Sequence, residues 1–198
     1  MSILFLSIGS LRSIEDRGIY TDLLREFRNN GHNVYVVCPR ERRTKLPTEY
    51  VDEDGVRFLR VRTGNITKCN VFEKGITTLT IEHLFIRAIK KYLADVKFKL
   101  IIYSTPPITF ERVVRYIKNR DNARSYLLLK DIFPQNAVDL GLFGKRSLLY
   151  RYFRQKEKRL YRRADYIGCM SQANVDYVLK HNPELSADIV EVCPNSIE

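Results

Sequence analysis

The segment Tyr126-Leu127-Leu128-Leu129-Lys130-Asp131-Ile132-Phe133-Pro134 constrains this chain most. Consecutive apolar residues that stop abruptly at charge read as a strand covered on both faces, which means a parallel sheet packed between helices. Such sheets bind ligands beyond the carboxyl ends of their strands, so Lys130 and Asp131 fall where chemistry is done. Pro134 suits the first turn of a following helix, where its missing N–H costs nothing. The same residues also suit a purely structural Lys–Asp ion pair at a strand end.

The rest of the chain repeats the pattern. Ile3-Leu4-Phe5-Leu6 is a first buried strand, and a helix from Tyr20 to Asn30 presents Leu23, Leu24 and Phe27 on one face. Gly31 closes that helix as a left-handed cap. Val34-Tyr35-Val36-Val37 is the second strand, ending at Cys38-Pro39. Glu41 to Gly55 reads as a polar loop, and Val56 to Arg62 alternates as an edge strand would. A long helix covers Val71 to Asp95. Leu100-Ile101-Ile102-Tyr103 runs into Ser104-Thr105-Pro106-Pro107, whose prolines start a helix reaching Lys118. Asp165 to Met170 is a strand followed by Ser171, a cap for a helix from Gln172 to Lys180, and Ile189 to Val192 is the last strand. Strands alternating with helices at this spacing predict an α/β fold, a Rossmann-like, doubly wound parallel sheet with helices on both faces, formed by residues 1–198 as one domain.

Composition narrows the class. A 198-residue chain with 44% hydrophobic and 29% charged residues is an ordinary globular protein. No run approaches the roughly 18 apolar residues of a membrane span, and no signal peptide is visible, which points to the cytoplasm. The four cysteines lie far apart with no C-x-x-C pair, so they read as reduced and mostly buried, and no metal site is predicted. His32, His83 and His181 all fall on helices or helix ends, away from any strand's carboxyl edge, which argues against a histidine base. Glu15 and Asp16 beside the first loop offer a carboxylate base, although capping the next helix is the commoner task for such residues.

The formal charge of +11 is concentrated. Between Lys145 and Arg163 nine basic residues meet one acid, Glu157. Leu149, Phe153, Leu160 and Ala164 recur at helical spacing as a core face, and Arg151, Arg154, Lys158 and Arg162 form an adjoining stripe. The stripe suits phosphate, nucleic acid or an anionic membrane surface, and the interleaved Tyr150, Tyr152, Phe153 and Tyr161 favour the membrane. A merely solvated basic face is the plainer alternative. No helix-turn-helix or RNA-binding aromatic motif accompanies the charge, so a nucleic-acid partner is not expected.

The loop after the first strand, Gly9 to Gly18, has only two glycines nine positions apart. It lacks the dinucleotide fingerprint and the phosphate-cradling lysine loop. It does place Arg17-Gly18 at a helix N-terminus, a local site for an anion or a sugar.

The order Arg17-Gly18, Asn30-Gly31-His32-Asn33-Val34, Leu100 to Pro107, Lys130-Asp131-Ile132-Phe133-Pro134, Ala164-Asp165-Tyr166-Ile167, Ser171 and Cys193-Pro194-Asn195-Ser196 resembles the N-terminal half of a family-4 retaining glycosyltransferase. Within that family it is most similar to the bacterial sugar transferases of surface and capsular polysaccharide biosynthesis. The resemblance implies one half of a GT-B fold, the acceptor-side domain, with a C-terminal donor-binding domain absent from these residues. Asn195-Ser196 stands where the family usually carries Pro-Asn-Gly at the crossing into that domain. It also implies a nucleotide-sugar donor bound mainly by the second domain, no cofactor or metal, and a lipid-linked sugar acceptor in capsule, O-antigen or exopolysaccharide assembly. The protein would sit peripherally on the cytoplasmic face of the inner membrane, and this domain alone would be inactive. Lys130 would contact donor hydroxyls or phosphate, and Asp131 would orient Lys130 or the acceptor. Arg17, Gly18, Ser104 and Thr105 would line the acceptor side. A family histidine at this strand end has no counterpart here. A stand-alone acceptor-binding or membrane-recruiting subunit is the alternative reading, and a basic nucleic-acid-binding domain a more distant one.

Overall fold

Eight strands make one sheet in the order β3-β4-β2-β1-β5-β6-β7-β8 in a computed structural model that describes residues 1–105 and 108–195, with the side chains of Val71, Phe72, Lys74 and Gly75 excepted. The elements are β1 (Ser2–Leu6), α1 (Ile19–Asn29), β2 (Asn33–Glu41), β3 (Glu49–Glu53), β4 (Val56–Thr63), α2 (Val71–Tyr92), β5 (Leu100–Thr105), α3 (Glu111–Asp121), β6 (Arg124–Leu129), α4 (Gln135–Asp139), α5 (Leu148–Arg163), β7 (Tyr166–Cys169), α6 (Gln172–His181) and β8 (Val190–Val192). Every pairing is parallel except β3 with β4. The α/β class and the doubly wound parallel sheet are as the sequence predicts.

Side chains alternate across the strands, so each strand feeds two cores. Leu4, Leu6, Val37, Ile101, Tyr103, Leu127 and Leu129 pack with buried residues of α2, α3, α5 and α6. Ile3, Phe5, Val34, Val36 and Phe58 point the other way, onto Leu24 of α1 and Ile14 of the loop before it. Side-chain caps fix three helix starts: Asn70, Ser147 and Ser171 accept the N–H groups of Glu73, Tyr150 and Asn174. Gly31 ends α1 at φ 75°, as its left-handed role requires.

Three expectations are corrected. Residues 41–55 are not one loop: β2 continues to Glu41, and β3 returns antiparallel along β4 through a turn at Asp54 (φ 48°) and Gly55 (φ 80°). Positive φ at both turn residues is what a tight hairpin needs, and Asp-Gly supplies it. Consequently β4 is interior rather than an edge; the edges are β3 and the three-residue β8. Pro134 stands at the N-cap of the short α4, just before its first turn, after a cis Phe133–Pro134 bond. The helix start assigned to Pro106-Pro107 and the glycine replacement at Ser196 lie outside the described residues.

Candidate functional site

From β1 the chain winds outward through β2 to β4, then crosses back and winds the opposite way from β5 to β8. The reversal lies between β1 and β5, so a crevice opens beyond their carboxyl ends. Ser7 turns the chain there: its hydroxyl donates to the Gly9 carbonyl (2.9 Å) and accepts the Gly9 N–H (3.0 Å). From β5 come Ser104 and Thr105, both buried, and from the end of β6 come Lys130 and Asp131.

Tyr20, in the first turn of α1, gathers these groups. Its phenol pKa is raised, chiefly by burial and further by the Asp131 charge, against an opposing effect of the nearby Ser104 hydroxyl. The Thr105 hydroxyl donates to the Asp131 main-chain carbonyl at 3.3 Å. Ser104, Thr105 and Asp131 thus share one corner, with Tyr20 as a member that sequence reasoning missed. A tyrosine at helical spacing looks like any other apolar-face residue.

Lys130 and Asp131 do not pair. Successive residues of extended backbone point to opposite sides, and Lys130 turns instead to donate to Asn195 Oδ1 beyond β8. Partial burial lowers its pKa. It lines a cleft of about 240 Å³ with Tyr20, Leu23, Tyr126, Cys193 and Asn195, whereas the Asp131 side chain is exposed. Asp131 therefore does not orient Lys130; Asn195 does.

The helix N-terminus expected to receive an anion holds one of its own. The Gly18 N–H donates to Asp22 Oδ1 at 3.3 Å, and Asp22 is ion-paired with Arg25. Arg17 is exposed and has no partner among the described residues, and neither Arg17 nor Gly18 lines the clefts at this edge.

A larger cleft, about 700 Å³, lies on the other side of β1, between the loop Ser10–Arg12 and the ends of β2 and β4. Arg12, Arg40, Arg43, Arg60 and Lys68 line it with the single acid Glu41. Arg60 locks its wall: the guanidinium donates to the Arg12 carbonyl (2.7 Å) and to Glu53 Oε1 (2.7 Å) while lying 4.6 Å from the Phe58 ring centroid. Arg40 pairs with Glu49 and donates to the Pro47 carbonyl at 3.1 Å. Burial would raise the pKa of Glu41, but the Thr67 hydroxyl and N–H and the Arg43 guanidinium hold it below the ordinary carboxylate value. Reading residues 41–55 as a loop hid this cleft, although Asp54-Gly55 ahead of an alternating arginine-rich strand was a usable hairpin signal.

The basic helix α5 is less open than its sequence suggests. Arg154 turns inward, donating to the His181 carbonyl (2.6 Å) and to Asn182 Oδ1 (2.7 Å) and pairing with the buried Glu157. Lys158 and Arg162 both reach Glu184, at 3.7 and 3.2 Å. Only Arg151 of the four stays exposed without a partner among the described residues. Leu160 and Ala164 are buried and Phe153 packs on Phe133 (centroids 5.0 Å apart), but Leu149, in the first turn of α5, is exposed. Leu140, Leu142, Leu148 and Tyr152 are exposed beside it. Among the described residues no helix is long and apolar enough to cross a membrane, and no group of three or more His, Cys, Asp or Glu is arranged to hold a metal ion.

The fold has well-defined relatives. An E. coli trehalose-6-phosphate structure with UDP-2-fluoro glucose bound superposes with a TM-score of 0.61 at 9% identity, over 94% of this chain and 43% of that one. The trehalose-6-phosphate synthase OtsA gives 0.65 at 12% identity, over 100% and 50%. A UGT transferase from Siraitia grosvenorii in complex with UDP gives 0.55 at 11% identity, over 98% and 50%. The chain thus spans half or less of the length of these structures. No curated protein sequence matches it. The sequence model of Glycosyltransferase Family 4 matches residues 19–198, from the first turn of α1 through β2 to β8, and the chain belongs to that family.

Proposed function

We propose that the chain is the acceptor-binding half of a retaining glycosyltransferase that moves a sugar from a nucleotide sugar to a lipid-linked glycan in capsule, O-antigen or exopolysaccharide assembly. Family membership supports glycosyl transfer. The observation that carries the rest is the gathering of polar groups at this strand edge, where Tyr20 and Lys130 line one cleft and the Thr105 hydroxyl, next to Ser104, donates to the Asp131 carbonyl. Polar groups fixed at a switch point can hold one acceptor hydroxyl beside a donor and lower the entropic barrier to reaction.

Transfer breaks the bond between the sugar's anomeric carbon and the phosphate oxygen and forms a new one to the acceptor oxygen on the same face. The acceptor proton passes to the departing phosphate. In this reading Tyr20 and Ser104 donate hydrogen bonds to the acceptor, and the exposed Asp131 carboxylate accepts from its hydroxyl. Lys130, released from Asn195, neutralises charge developing on the leaving phosphate. The donor's nucleotide would be held by a second domain.

Arg151, with Lys145 and Arg146 nearby in sequence and the exposed Leu148, Leu149 and Tyr152, would rest on the anionic cytoplasmic face of the inner membrane. Each basic side chain near such a surface contributes about 1 kcal/mol. Flotation with liposomes tests this part: equal binding to neutral and anionic vesicles at low salt would refute it.

The enzymatic reading is tested by incubating the natural gene product with a panel of nucleotide sugars and a membrane lipid extract, and fixing the product's anomeric configuration by NMR. Transfer with retention is expected. Inversion, or hydrolysis of the donor without transfer, would overturn it.

A further inference from the structure

We infer that the cleft between the β1–α1 loop and the ends of β2 and β4 is the subsite for a phosphorylated group on the acceptor, of the size of a sugar phosphate or a diphosphate head. The inference rests on reading this sheet edge as the acceptor side. At about 700 Å³ the cleft is far larger than one phosphate and matches a small-molecule site. Five cationic side chains line it against one carboxylate, and that carboxylate, Glu41, is occupied by the Thr67 N–H (3.0 Å), the Thr67 hydroxyl (2.8 Å) and Arg43.

The placement of the counter-charges makes the cleft a binding surface rather than a neutral seam. Glu49 and Glu53, which balance Arg40 and Arg60, stand on β3 and do not line the cavity. Glu49 and Glu53 balance Arg40 and Arg60, and Glu41 balances Arg43, so the uncompensated positive charge on the open side is that of Arg12 and Lys68. The Arg40 and Arg60 side chains are only 13% and 10% exposed and are tied to main-chain carbonyls, so their forks are oriented before a ligand arrives. Planar forks of this kind suit phosphate oxygens. Arg12 and Lys68 lie exposed at the rim with no side-chain partner among the described residues, available to close on a dianion.

The test is an NMR titration of the isotopically labelled chain with inorganic pyrophosphate at low salt. Shifts centred on residues 10–12, 40–44 and 67–68 are expected. The double variant Arg12→Gln, Lys68→Gln changes exposed side chains only, so it should fold normally by circular dichroism and bind pyrophosphate about tenfold more weakly or worse. The double Arg159→Gln, Lys180→Gln removes the same charge from helices toward the far edge of the sheet and should bind as the parent does. Shifts centred elsewhere, equal weakening in both doubles, or no binding would overturn the inference. Competition then separates the sources of the phosphate: displacement of pyrophosphate by farnesyl diphosphate supports a lipid-linked head, displacement by a hexose 6-phosphate supports a soluble acceptor, and displacement by neither overturns the assignment. No donor enters this titration. Phosphate binding in a protein that transfers no sugar would therefore refute the enzymatic reading alone, whereas transfer unaffected by the Arg12, Lys68 double would refute this subsite alone.

Discussion

Replacing Arg60 by methionine should cost about 3 kcal/mol of stability and loosen one wall of the basic cleft. Two of its contacts carry the magnitude: donations at 2.7 Å to the Arg12 carbonyl and to Glu53 Oε1. The contacts to Leu11 O (3.4 Å) and to the shared Glu49 (3.5 Å) add little. Hydrogen bonds from a charged donor contribute about 1.5 kcal/mol each at the low end, giving about 3 kcal/mol for two. Methionine keeps an apolar stem over Phe58, so the loss isolates the guanidinium. It also strands Glu53, whose other oxygen is already buried without a partner. Adding Glu53→Gln to Arg60→Met should therefore recover part of the loss. Denaturant unfolding measures the stability, and a melting-temperature drop of about 6 to 12 °C corresponds for a domain of this size. Hydrogen exchange should accelerate in residues 10–17, which Arg60 anchors through two carbonyls. A loss below about 1 kcal/mol, or unchanged exchange in that loop, would refute the reasoning.

In the natural gene product Lys130→Met should lower kcat for sugar transfer while leaving the melting temperature nearly unchanged, because among the described residues the one side-chain hydrogen bond of Lys130 is to Asn195, at the rim of its cleft; wild-type turnover would remove it from the reaction. Gly168→Ala should destabilise by about 1 to 3 kcal/mol, since the added methyl would stand 2.5 Å from the Tyr126 hydroxyl and 2.7 Å from Cys193 Cβ; urea unfolding measures it. In the native protein at pH 8, Cys38 and Cys169 should resist iodoacetamide while Cys69 and Cys193 react, by mass spectrometry, because burial pushes both thiols up to about 11. Burial raises the Glu157 pKa, so its protonated form favours the fold below the ordinary glutamate value of about 4.3, and that contribution is lost as pH rises through its native value. Glu157→Gln should flatten this part of the stability–pH curve. Asp165 behaves oppositely: burial alone would raise its pKa, but Lys118 and Ser125 hold it low, so its contribution is present above the ordinary aspartate value and fades as pH falls.

What could be read from the sequence follows from how each element is covered. β1, β5 and β6 are runs of residues buried on both faces, so no polar alternation disguises them. β3 was hidden because its five residues include three acids and look like a loop. β4 looked like an edge because Arg57, Arg60 and Arg62 alternate with apolar residues; in the fold β3 covers its outer side, and Arg57 and Arg60 lie over the rings of Tyr35 and Phe58. Ser104, Thr105 and Asp131 were findable because strand ends are where such folds keep polar groups. Tyr20, Arg60 and the Lys130–Asn195 contact depend on pairings tens of residues apart that no local pattern encodes. Which members of the α5 stripe stay open is illegible for the same reason, since Asn182 and Glu184, which occupy Arg154, Lys158 and Arg162, come from beyond α6.

The two margins of the sheet have a consequence for how this molecule meets its neighbours. β3 is five residues long and carries Glu49, Asp52 and Glu53, and β8 offers only three residues of ladder. A strand from another chain laid along β3 would bring its peptide groups beside carboxylates held in place by Arg40, Arg57 and Arg60. Against β8 it would gain too few hydrogen bonds to stay. The sheet is thus sealed against growth by strand addition. Such margins work against this sheet templating fibrils of its own, and they favour contacts with other molecules through the loops and helix faces, where side chains can choose between them.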